Sequence, residues 1–93
     1  CGDISLNQET FEVRKGNTRL ALTKTEYEML RYFLSNQRIT LTREQLLNHV
    51  WGMDFEGDSR TVDTHIRRLR RKIGEEYIKT RIGIGYVISD RKD

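Results

Sequence analysis

Proline is absent from this 93-residue chain, cysteine occurs once, and no run of apolar residues is long. The single Cys1 excludes a disulfide framework or a thiolate metal site within one chain. A reduced, intracellular setting is the expectation from that. No stretch approaches the ~18–20 consecutive apolar residues of a membrane span, and the N-terminus has no signal-peptide pattern, so the chain reads as soluble. Repeats and low-complexity runs are missing too, which leaves nothing to divide residues 1–93 into two domains. The start at Cys1-Gly2-Asp3 is abrupt and reads as that of a piece of something longer. Leu, Ile, Val and Phe are 24 of the 93 residues. That exceeds the ~20% below which chains tend to stay disordered, so one modest core is expected.

The net charge of +3 is unremarkable, but its placement is informative. Residues 60–72 hold Arg60, Arg67, Arg68, Arg70, Arg71 and Lys72 against Asp63 alone, a net of +5, and the remaining residues carry −2. A basic segment on a slightly acidic body is the electrostatic footprint of a polyanion binder.

The first part reads as short antiparallel strands. Residues 4–6 precede the polar turn Asn7-Gln8-Glu9, residues 11–14 alternate apolar and polar, and Lys15-Gly16-Asn17 has turn chemistry before 18–22 alternate again. Thr23-Lys24-Thr25-Glu26 is a capping box announcing a first helix with Tyr27, Met29, Leu30, Phe33 and Leu34 on its apolar stripe. Thr42-Arg43-Glu44-Gln45 is a second box, before Leu46, Leu47, Val50 and Trp51, and Gly52 stops that helix. Residues 52–59 form an acidic, glycine-containing loop, and Asp58 or Ser59 caps a third helix that ends at Gly74. Two β-rich segments, 77–82 and 85–88, follow, joined by a tight turn at Gly83-Ile84-Gly85. The pattern predicts an α+β fold: N-terminal strands over 1–22, a three-helix core over 23–73 and a hairpin over 77–88. That is a winged helix-turn-helix.

The third helix carries the chemistry. At ~100° per residue, Val62, Ile66, Leu69 and Ile73 share one narrow seam, while Arg60, Thr64, Arg67, Arg68 and Arg71 gather on the opposite side. Such a helix has apolar purchase behind it and cationic forks in front. Arginine suits this better than lysine, because its planar fork pairs bidentately with guanine O6/N7 or with phosphate. Charged helix faces are usually just solvated, but those interleave both signs and this one does not. Asp63 is placed to pair with Arg67 at i+4. Double-stranded DNA is therefore the expected partner.

Catalysis has little to stand on. His49 and His65 lie on different predicted helices and form no HExxH arrangement, residues 53–59 lack the calcium-loop pattern, and Gly83-Ile84-Gly85 is too short for a phosphate loop. No metal or cofactor is expected. An RNA-binding or protein-binding winged helix would need a free aromatic surface or apolar patch, whereas Tyr27, Phe33 and Trp51 are spent on helix stripes; Tyr32 and Tyr77 are left unassigned.

Four stretches together resemble the effector domain of OmpR/PhoB-type response regulators: Leu22-Thr23-Lys24-Thr25-Glu26-Tyr27-Glu28, Thr42-Arg43-Glu44-Gln45-Leu46-Leu47-Asn48-His49-Val50-Trp51-Gly52, the run from Arg60-Thr61-Val62-Asp63-Thr64 to Ile73, and Gly83-Ile84-Gly85-Tyr86. The resemblance implies a winged helix preceded by a four-stranded sheet, serving as a bacterial, cytoplasmic transcription factor under two-component control. It implies base or groove contacts at Arg60, Thr61, Thr64, Arg67 and Arg68, phosphate contacts at Arg43 and Trp51, and RNA polymerase contact through Asp54, Phe55 and Glu56. Arg71 extends the same basic stripe, and Thr80 is expected to reach phosphate. Family wings usually carry arginine directly before the first hairpin glycine. Ile82 stands there in this chain, with Arg81 one residue earlier, so either a bulge lets Arg81 substitute or the minor-groove contact is weak. The family's phosphorylatable receiver domain is absent from these residues. The isolated domain is expected to be a monomer, and two copies of the parent protein to meet on repeated half-sites.

Overall fold

A computed structural model describes residues 2–52 and 57–89. Strands β1 (Ile4–Asn7), β2 (Glu12–Lys15) and β3 (Thr18–Leu20) form an antiparallel N-terminal sheet in that order. Helix α1 (Lys24–Ser35) follows, then a two-residue strand β4 (Leu41–Thr42) and helix α2 (Arg43–Trp51). Helix α3 (Arg60–Ile73) leads into the hairpin of β5 (Ile78–Arg81) and β6 (Gly85–Ile88), and β4 adds to β6 to give a second sheet of order β4-β6-β5. The predicted winged-helix order stands.

Both capping boxes form. Thr23 and Glu26 exchange side-chain and backbone bonds at the start of α1, as Thr42 and Gln45 do for α2. At α3 the cap is Asp58, whose Oδ1 accepts from the Arg60 amide at 2.9 Å, while the Ser59 side chain caps nothing. The seam of α3 is the centre of the core: Val62, Ile66, Leu69 and Ile73 are all essentially inaccessible and cluster with Met29, Leu30 and Phe33 of α1 and Leu46 of α2. Each such side chain contributes roughly 1.5–3 kcal/mol of transfer free energy on burial. The exposed face of α3 is thereby fixed by the apolar face behind it.

Several expectations need correction. Among the described residues the N-terminal sheet has three strands, not the four that the resemblance implied; the additional strand, β4, joins the wing instead. Phe11 does not open β2. It sits at φ +61°, 67% exposed, with its ring edge 5.3 Å from Tyr27, because the turn after β1 needs a left-handed residue there. Strand β3 stops at Leu20, short of Leu22. The wing turn runs from Arg81 to Ile84, closed by the Ile84 amide on the Arg81 carbonyl at 2.9 Å, with Gly83 at φ +77°. Ile82 therefore belongs to the turn and not, as the sequence suggested, to the first wing strand, whereas β6 spans the expected 85–88.

Gly85 is there for space. A Cβ on it would stand 2.0 Å from the Leu41 carbonyl oxygen, where β4 crosses β6. Tyr77 lies just outside β5, buried, with its hydroxyl bonded to Asp3. Lys15 lies 5.5 Å from the same ring's centroid and 3.8 Å from Glu76, so the N-terminal sheet is pinned to the segment between α3 and the wing.

Candidate nucleic-acid interface

Helix α3 presents Arg60, Thr64, Arg67, Arg68 and Arg71 to solvent, on the side opposite its buried seam. No carboxylate among the described residues pairs with Arg67, Arg68 or Arg71. Arg60 is different. Its Nη2 and Nε sit 2.9 and 3.2 Å from Asp58 Oδ2, so its fork is already aimed along the helix N-terminus. The Arg60 guanidinium holds the Asp58 carboxyl below the usual aspartate range, and Asp58 raises Arg60 in turn. Both side chains are well exposed, so a phosphate can compete for the guanidinium at modest cost. The Thr64 hydroxyl donates back to the Arg60 carbonyl at 3.2 Å. Thr61 is half-buried, and its carbonyl lies 2.9 Å from Nδ1 of His65.

Helix α2 contributes its two ends. Arg43 is exposed at the first turn, and Trp51 is half-buried at the last, its ring edge-on to His65 with centroids 5.0 Å apart. That contact fits the packing role expected of Trp51 and leaves part of the indole at the surface. The wing brings Thr80, exposed, and Arg81, half-buried. Its register is regular, with Arg81 opposite Gly85, so no bulge turns Arg81 outward in place of Ile82. Ile82 is instead the apex of the wing at 93% exposure, with Ile84 exposed beside it. Arg43, Thr80, Arg81, Ile82 and Tyr86 line a concavity of about 340 Å³ between α2 and the wing. Asp54, Phe55 and Glu56 lie outside the described residues.

Two features escaped the sequence reading. Arg70 does not join the outward stripe: Nε donates to the Ile78 carbonyl at 2.9 Å, Nη2 to Thr80 Oγ1 at 2.7 Å, and the guanidinium carbon lies 5.4 Å from the Tyr86 ring centroid. It fastens the wing to α3. Its helical angle, about 80° from Val62 and so between seam and stripe, was the available signal. The second is a correction. Asp63 pairs not with Arg67 but with Arg43, whose Nε is 3.1 Å from Oδ1, and the Tyr86 hydroxyl donates to that same oxygen at 2.5 Å. Donors from α2 and β6 take up the Asp63 carboxylate, which the i,i+4 spacing along α3 alone could not foresee. Burial first, and this bond second, push the Tyr86 phenol above its usual range.

Among the described residues no three His, Cys, Asp or Glu gather where they could hold a metal ion. No described helix is long and apolar enough to cross a membrane.

A family model described as "Transcriptional regulatory protein, C terminal" matches residues 17–88. The regulatory protein VanRB of Enterococcus faecalis is 44% identical over 89 residues, covering 96% of this chain and 40% of that protein. The chain thus spans well under half the length of such a relative. Among solved structures, the DNA-binding domain of Bacillus subtilis CssR is 34% identical with a TM-score of 0.86, over 92% of this chain and 99% of that one. The Klebsiella pneumoniae RstA DNA-binding domain, solved in complex with the RstA box, is 26% identical with a TM-score of 0.87, over 97% and 94% of the two chains.

Proposed function

The chain belongs to the family of C-terminal domains of OmpR/PhoB-type transcriptional regulatory proteins, the DNA-binding output domains of two-component regulators, and on that premise we propose how it engages its site. Helix α3 enters the major groove of double-stranded DNA and reads sequence, while α2 and the wing hold the flanking backbone. One observation carries this: four arginines and Thr64 stand exposed on the face of α3 directly opposite four fully buried apolar residues. A rigid helix with its cations on one side fits the major groove, which is wide enough for an α-helix.

In this reading Arg67, Arg68 and Thr64 contact base edges, and Arg60, Thr61 and Arg71 contact bases or the groove's phosphate walls. Arg43, Trp51, Thr80 and Arg81 position the backbone. The indole N–H of Trp51 donates to phosphate while its ring packs on His65. Two copies of the parent protein bind repeated half-sites, whereas the domain alone is a monomer. RNA polymerase contact through Asp54, Phe55 and Glu56 belongs to the same reading and rests on the resemblance of this segment to the family's. The protein then works in the bacterial cytoplasm, alongside its DNA.

The test is enrichment of duplexes from a random pool, followed by affinity measurements across salt concentration. Log affinity against log salt is expected to fall linearly, by about −0.9 for each phosphate neutralised. Arg68→Ala is expected to cost roughly 1–3 kcal/mol on the enriched site and much less on a scrambled one. A flat salt response, or an equal loss on both duplexes, contradicts base reading by Arg68 or duplex binding altogether.

A further inference from the structure

Asp63 is an anion set in the first turn of the helix meant to meet a polyanion, and its surroundings explain why it is tolerated there. Its Oδ1 takes two donors, Arg43 Nε at 3.1 Å from α2 and the Tyr86 hydroxyl at 2.5 Å from β6. One carboxylate oxygen thus joins the three elements that face the ligand. Arg43 keeps half of its side chain exposed and lines the concavity that also holds Thr80 and Arg81. A guanidinium has five N–H donors, so a bond at Nε leaves others for a phosphate. The carboxylate therefore fixes the direction of Arg43 without consuming it, and at the same time cancels most of its charge at a distance.

We propose that Asp63 is a positioning residue that restrains Arg43, suppressing binding to unrelated duplex DNA and favouring duplexes whose backbone meets Arg43 in its held orientation. The inference rests on the duplex-binding reading above and deepens it. A phosphate arriving at the concavity shares Arg43 with Asp63. A backbone in the wrong place must first pull the guanidinium from its carboxylate, in a partly exposed setting where such pairs are neither rigid nor negligible.

Asp63→Asn tests this, because the amide oxygen still accepts from Arg43 and Tyr86 while the charge is gone. Two probes are used: a duplex enriched from a random pool and a scrambled duplex of equal length. In the variant, affinity for the scrambled duplex is expected to rise roughly threefold or more, and its log–log salt slope to steepen by about one phosphate's worth. The enriched-to-scrambled ratio falls. Glu9→Gln, which removes the same charge from the N-terminal sheet, leaves all three unchanged. In an Arg43→Gln background Asp63→Asn has no further effect on the scrambled duplex. The proposal is overturned if scrambled-duplex affinity is unchanged or reduced, if Glu9→Gln acts equally, or if the gain persists without Arg43. Failure of the wild type to bind either probe would instead defeat the duplex-binding reading itself.

Discussion

Glu26 shows how one side chain serves two structures. Its Oε1 accepts from the Thr23 amide at 2.9 Å, completing the cap of α1, and from Lys72 Nζ of α3 at 2.6 Å, while the residue itself is buried. Burial alone would raise the carboxyl; the Lys72 and Thr23 bonds outweigh it and hold the pKa below the ordinary 4.5. Because the folded value is depressed, its contribution to stability is complete above about pH 4.5 and is lost as the pH falls through the lower folded value. Glu26→Gln keeps an acceptor for the cap but leaves the Lys72 ammonium without its counter-charge, so it is expected to cost about 1–2 kcal/mol at neutral pH. The variant's thermal midpoint should also fall less steeply than the wild type's between about pH 5 and 3, as followed by circular dichroism. Parallel curves would mean that Glu26 is not the group responsible. The capping half of this role was legible in the Thr23-Lys24-Thr25-Glu26 spacing. The Lys72 half was not, because 46 residues separate the partners and only tertiary packing brings them together.

Among the elements, the helices and five of the six strands were readable in advance to within a residue or two, and β4 was not. Helix α3 repeats its apolar residues over about three turns, which fixes its faces by periodicity. Strand β4 has two residues, one of them also the cap of α2, so no alternation exists to detect. In the wing, β6 begins at Gly85 as expected, and β5 ends one residue early because Ile82, which looked like a continuing strand residue, is the exposed apex of the turn. What the sequence could not show is the crossing of β4 over β6, where only a glycine fits at position 85. Gly85→Ala must push the Leu41 backbone aside. A loss of at least about 2 kcal/mol is expected, lowering the thermal midpoint by roughly 8 °C or more; a midpoint within 2 °C or so of the wild type would show that the crossing yields easily. The wing's apex offers a second test. With Ile82 almost fully exposed and Arg81 held in register, the apex lacks a cation to enter a narrow minor groove. Ile82→Arg is therefore expected to tighten binding to enriched sites flanked by A/T tracts several-fold, and more than to G/C-flanked ones. Equal or absent gain would keep the wing clear of the groove.

At the scale of the whole molecule, charge and core are separated by a single helix. The arginine stripe of α3 was legible because sequence periodicity fixes opposite faces together, and Arg60, Thr64, Arg67, Arg68 and Arg71 emerge where that period puts them. The parts of the interface that needed folding to appear are those that tie elements together: Arg70 holding the wing, and Asp63 drawing Arg43 and Tyr86 to one oxygen. These residues look like members of a basic run and an i,i+4 pair until neighbouring chain segments claim them. The most direct check on the central claim is methylation interference on an enriched duplex, since one reagent marks guanine N7 in the major groove and adenine N3 in the minor groove. Insertion of α3 predicts loss of binding when guanine N7 is methylated at positions within the half-site. Interference confined to adenine N3, or to neither, would contradict it.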